Sequence, residues 1–255
     1  MSHHDGVSDR AEPATRAGGD LVAGRRSAVA VGAVLALGLA VAILWELAAR
    51  RGWLDPFFWS KPSAIVYQLA DWWSEGTSHG TLVAQAGVTF GEAALGLAIG
   101  SALGGAIGGA CRRYPTSREV LGAVLTALTL PLRVALGAAF ALGLGLGVGS
   151  KIAFASALVG LVAAGDALAG RQALTSLRLR FALALVGAVV GEIFMARRGL
   201  GVLIDESVHH FNASGVYAAL IVLGAIALAG DGLLALIERR YAPRAGRDGE
   251  SSRRD

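Results

Sequence analysis

The stretch GVTFGEAALGLAIGSALGGAIGGA, residues 87–110, decides the fold. It holds one carboxylate, Glu92, and no basic residue. A helix of that length reaches across the roughly 30 Å hydrocarbon core of a bilayer. Its apolar residues run on in a block, without the amphipathic spacing of a soluble helix. Within it Gly96, Gly100, Gly104 and Gly108 recur at every fourth position and so share one helix face, where a neighbouring helix can lie against bare backbone. The expectation is helix packing inside the same chain, with a contact between subunits as the alternative.

Working outward, five more apolar blocks follow the same pattern, at residues 27–49, 134–148, 152–168, 173–194 and 216–237. The blocks at 134–148 and 152–168 are short for a span of about 20 residues. Composition agrees: 54% of residues are hydrophobic and 16% charged, with a mean hydropathy of +0.56, which is too apolar for an ordinary soluble domain. Glycine, 36 residues in 255 against a usual share of roughly 7%, suits closely packed membrane helices. The fold class expected is an all-α polytopic membrane bundle of about six transmembrane helices.

Residues 1–26 and 242–255 are polar and lack an apolar period, so both read as disordered cytoplasmic tails around a transmembrane domain at 27–241. Arg25 and Arg26 precede the first block, yet that block exceeds the core of a signal peptide, and Trp45, Glu46 and Arg50 stand where a small-residue cleavage site would be. An uncleaved anchor is expected. Trp53, Phe57, Phe58, Trp59, Trp72 and Trp73 mark an interfacial segment, with a short helix at 64–73 after Lys61-Pro62-Ser63.

Orientation follows from the basic residues. Those of the N-terminal tail (Arg10, Arg16, Arg25, Arg26), of the second and fourth connections (Arg112, Arg113, Arg118; Arg171, Arg178, Arg180) and of the C-terminus (Arg239, Arg240, Arg244, Arg247, Arg253, Arg254) fall on one side. They outnumber Arg50, Arg51, Lys61, Lys151, Arg197 and Arg198 on the other. Both termini are therefore placed in the cytoplasm of a multi-pass protein. The net charge of +4 and the pI near 9.7 do not indicate nucleic acid, because the basic residues flank apolar blocks and do not line one face with aromatics.

Ionisable residues inside the blocks are Glu46, Glu92, Asp166, Glu192 and Asp231. Most sit near expected span ends, and Asp231 alone lies clearly inside its block. The lone Cys111 excludes an intramolecular disulfide, and no Cys/His cluster has metal-ligand spacing. His209 and His210 are adjacent and point about 100° apart on a helix, so they read as solvated loop residues. Asn212-Ala213-Ser214 fits a glycosylation acceptor, a pattern common by chance. There is no G-x-S-x-G, H-E-x-x-H or phosphate-cradling loop, so no catalytic residue is assigned and the chain is not expected to be an enzyme.

The order of features resembles the permease subunits of type I binding-protein-dependent ABC importers, in the aliphatic sulfonate, taurine and nitrate group. The matching pieces are Lys61-Pro62-Ser63-Ala64, the Gly-rich span ending at Arg112-Arg113, Leu130-Pro131, and Leu146-Gly147-Val148-Gly149-Ser150-Lys151. They continue with Leu177-Arg178-Leu179, Val190-Gly191-Glu192-Ile193-Phe194, Gly199-Leu200-Gly201-Val202-Leu203-Ile204 and Ile237-Glu238-Arg239-Arg240. Together they cover residues 42–241.

The resemblance implies a homodimer in the bacterial cytoplasmic membrane, docked on an ABC ATPase and fed by an extracytoplasmic solute-binding protein. It also implies alternating access for a small solute, with ATP bound by the partner and no cofactor in this chain. The family's coupling loop, with its E-A-A pattern and docking helix, is missing between Asp166 and Ala173. Ala169, Gly170, Arg171, Gln172 and Ala173 are the residual corner facing an ATPase. Arg178, Glu192 and Asp231 are candidate pathway residues, with the span from Arg178 to Glu192 as the pathway wall. Glu92 stands where the family often has a basic residue. The alternatives are a truncated, uncoupled permease homologue and a proton-coupled transporter that uses Asp231.

Overall fold

The computed structural model describes residues 32–34, 36–128, 139–140, 143–145, 147–171, 176–195 and 197–241. The expected tails at 1–26 and 242–255 lie outside them, as does most of the short block at 134–148. Among the described residues there are helices and one isolated bridge, Thr77 to Gly80, and no strand. The chain divides into two units, Met1–Ser63 and Ala64–Asp255.

The first unit holds α1, Gly32–Arg50, and the short α2, Pro56–Trp59. Its Glu46 takes Arg50 Nε at 2.7 Å, one helical turn on, and also accepts from the backbone N–H and hydroxyl of Ser63 at 3.0 and 2.9 Å. Ser63 opens α3, Pro62–Ser74, so a carboxylate meets the free N–H groups of a helix start. Pro62 at the first helical position begins this helix two residues before the expected Ala64.

The second unit is built on α4, Leu82–Cys111; α6, Val148–Leu168; and α7, Leu177–Met195. Beside them lie α5, Pro115–Ala127; α8, Leu200–His209; and α9, Ala213–Tyr241. Among the described residues four helices are long and apolar enough to cross a membrane: α1, α4, α6, and α9 over Ala213–Glu238. At 19 residues α7 has the length as well, but it carries Arg178, Arg180 and Glu192.

α4 begins five residues before the expected Gly87 because Thr81 caps it, accepting from the Ala84 N–H at 3.2 Å. That shift moves Glu92 from a span end to roughly three turns inside the helix. α5 occupies what the sequence suggests is a plain connection. Pro115 at its N-terminus is the local signal for it.

Glycine sets the packing of α4 on α6. A Cβ on Gly96 would strike Ala155; on Gly100, Ser156 and Val159; on Gly104, the Gly160 backbone; and on Gly108, the Ala164 backbone. The partners advance in the same direction along both helices, so α4 and α6 run parallel. α7 runs antiparallel to α6: Arg180 reaches Asp166, Gly187 lies on Ala155, and Gly191 lies on Lys151. Ala93, Val159, Ala184, Leu185 and Ala188 form the apolar centre, with Leu223, Ile226 and Ala227 of α9 against it.

Candidate functional site

The core joining α4, α6 and α7 is polar at its two ends and apolar between them. At the end near α8, Gln85, Thr89, Glu92, Lys151 and Glu192 are all at most 5% exposed. Lys151 donates to Glu92 Oε1 in a buried ion pair between α6 and α4. Glu192 Oε1 accepts the Thr89 hydroxyl at 2.7 Å, and its Oε2 accepts the Gly201 N–H at 2.7 Å. The Leu200 N–H donates to Thr89 Oγ1 at 2.9 Å, and the Gly199 N–H to Gln85 Oε1 at 2.8 Å.

Three successive backbone N–H groups at the start of α8 are thus satisfied by side chains of α4 and α7. This answers the open donors of a helix N-terminus and sets a carboxylate at its positive end. Gly199 is required there. Its φ of +123° suits glycine, and a Cβ would collide with the Glu192 carboxyl.

At the opposite end, Asp166 Oδ2 takes Arg180 at 3.0 Å and the Ser176 hydroxyl, while Oδ1 takes Arg171 at 3.0 Å. α6 stops here in a left-handed turn: Gly170 has φ +72°, the Arg171 N–H bonds Asp166 O at 2.8 Å, and the Gly170 N–H bonds Ala167 O at 3.1 Å. The Arg112 guanidinium lies over Gly170. Nearby, Arg178 grips both oxygens of Asp231 on α9.

The residues singled out from sequence are distributed as follows. Gly96, Gly100, Gly104 and Gly108 face α6 of the same chain. Ala169, Gly170 and Arg171 form the turn after α6, while Gln172 and Ala173 lie outside the described residues. Arg178 and Asp231 are brought together, but Glu192 is roughly 21 Å away along α7, fourteen residues on at 1.5 Å each. The three do not form one site. On α7 the face bearing Phe181, Ala184, Leu185 and Ala188 is filled by the chain's own packing. Leu179, Ala182, Val186 and Phe194 form its exposed stripe.

Two sequence readings change. Lys151, expected as a loop charge, is buried in the first turn of α6. Glu92 is its partner and not a span-end residue. The available signal was two opposite charges, each close to alone in an apolar run, which in lipid must find one another. Gln85 and Thr89 carried no such signal. The glycosylation-like Asn212 is a helix cap, its Oδ1 accepting the Gly215 N–H at 3.0 Å while its amide reaches Gln68. His209 is exposed at the end of α8, close to the Asp205 carbonyl. No group of three or more potential metal ligands occurs among the described residues.

Two apolar hollows flank the core. One of about 770 Å³ is lined by Ile99, Leu103, Leu121, Leu125, Phe140 and Ile152. Another of about 340 Å³ lies among Phe90, Leu97, Phe181 and Leu233. Neither gathers charged groups. Comparison with protein-family models, with curated proteins and with solved structures finds no match.

Proposed function

We propose that the chain is the membrane-spanning permease subunit of an ABC importer, passing a small anionic or polar organic solute by alternating access. In this reading six helices span the membrane, the four long apolar helices and α7 among them. The cytoplasmic partner is an ATPase, the external partner is a solute-binding protein, and the working unit is a homodimer in the bacterial cytoplasmic membrane.

The observation that carries the reading is the interlocking of the sequence features behind the resemblance. Lys151, which closes the Leu146 to Lys151 stretch, holds Glu92 of the Gly-rich span. Glu192, from the Val190 to Phe194 stretch, holds the start of Gly199-Leu200-Gly201. Features that follow one another in sequence thus support one another in space, as elements of one machine would. The exposed stripe of α7 is the surface this reading gives to the pathway or to the second subunit.

A second reading is favoured by the link from Leu168 to Leu177. It holds a tight turn at Ala169, Gly170 and Arg171, and it is too short for a separate docking helix. An ATPase shifts a permease equilibrium only through contacts that differ between its states. The alternative is therefore a permease homologue that inserts and dimerises without coupling.

Co-purification with an ATPase, together with ATP-dependent solute uptake in vesicles, is the expected result for the first reading. Stable insertion with neither behaviour rejects it in favour of the second. A proton-coupled transporter relying on Asp231 would show ATP-independent, uncoupler-sensitive uptake that Asp231→Asn abolishes. The double grip of Arg178 on Asp231 argues against that role.

A further inference from the structure

The buried charges near α8 are unevenly provided with partners. Glu192 accepts two hydrogen bonds, one on each oxygen, at the N-terminus of a helix. Glu92 Oε1 holds Lys151, but Glu92 Oε2 is buried and has no hydrogen-bond donor among the described residues. A bare carboxylate oxygen in the core is costly as an anion and becomes inexpensive once it carries a proton.

The charged groups facing Glu92 are Lys151 from α6 and Glu192 from α7. Within α4, Gln85 and Thr89 are neutral, and α8 contributes only backbone N–H groups. The Lys151 stem lies along Gly191, the residue before Glu192, where the missing side chain leaves it room. Lys151 is therefore bonded to Glu92 while its stem packs against the residue before Glu192.

We propose that Glu92 is a proton-binding site inside the helix core, taking up one proton on Oε2 while its ion pair with Lys151 loosens. A hydronium ion gives up a proton and leaves water, an O–H bond forms at Oε2, and the ion pair at Oε1 weakens. The cluster gains one positive charge, which the Glu192 carboxylate faces. Because Glu192 also fixes the first turn of α8, proton uptake at Glu92 is sensed at that turn. The site needs no metal and no partner.

The test is infrared difference spectroscopy of the full-length protein in lipid nanodiscs as pH is lowered, following the carbonyl stretch of protonated carboxyl groups. The wild type is expected to show a carboxyl signal, slow to exchange in deuterated water, that appears on acidification. It is lost in Glu92→Gln and kept in Glu92→Asp and Glu192→Gln. If Glu92→Gln does not fold, the double variant Glu92→Gln with Lys151→Met replaces the whole pair by neutral groups and is expected to fold without the signal. Persistence of the slow-exchanging signal in Glu92→Gln, or in the double variant where Glu92→Gln does not fold, overturns the proposal. So does a wild type that shows no such signal.

Discussion

Asp166 and Glu92 are both buried carboxylates of one helix core, on α6 and α4, and they are served very differently. Asp166 is surrounded by donors: Arg180, Arg171 and Ser176 converge on its two oxygens. Among the described residues Glu92 has Lys151 alone and one oxygen with no donor. An over-supplied carboxylate has one favourable state, because losing any single donor leaves others. An under-supplied one stands close to a change of state. The Asp166 end accordingly reads as a lock that fixes where α6 ends and α7 begins, and the Glu92 end as the place where the core can respond.

The largest effect is expected from Asp166→Ala. It strands the Arg180 guanidinium, which is 4% exposed, and destabilises the bundle by about 3–5 kcal/mol in mixed-micelle unfolding. A cost below about 1 kcal/mol would remove the distinction between lock and responsive site. Between the two ends, Gly104→Ala drives a methyl group into the Gly160 backbone and is expected to cost about 1–3 kcal/mol. Gly105→Ala, with nothing within 4 Å, leaves stability unchanged or raises it by up to about 1 kcal/mol. Equal effects from the two glycines would contradict the α4 and α6 register.

At the responsive end, Lys151→Met removes the counter-ion of Glu92. The carboxyl can neutralise itself with a proton, so the expected cost is about 1–2 kcal/mol, less than that of Asp166→Ala. A cost as large as that of Asp166→Ala would show that Glu92 is held ionised. The smallest effect belongs to Arg171→Ala. Its side chain is 63% exposed, so the loss is expected within about 1 kcal/mol by the same unfolding assay.

What could be read from the sequence followed what each signal depends on. The apolar blocks and the glycine stripe are local patterns, and α4, α6 and α9 appear where those patterns place them. Their ends shifted because caps decide them, as Thr81 and Gly170 do. The ion pair of Glu92 with Lys151 joins residues 59 positions apart on helices whose parallel course follows from packing, and no local pattern announces it. Glu192 was visible as a charge in an apolar run. Its task, holding the start of α8, depended on Gly199 and Gly201 folding back onto it. α5 carries one local signal, Pro115 at its N-terminus, in a stretch that reads from its arginines as a basic connection.

The whole account places α1, α4, α6 and α9 in lipid, where each helix satisfies its own backbone groups. Expressing the full chain, washing the membranes with urea and high-pH carbonate, and assaying the pellet and supernatant tests this. The protein is expected to stay in the pellet until detergent is added. Its release into the supernatant as a folded, detergent-free monomer would contradict it.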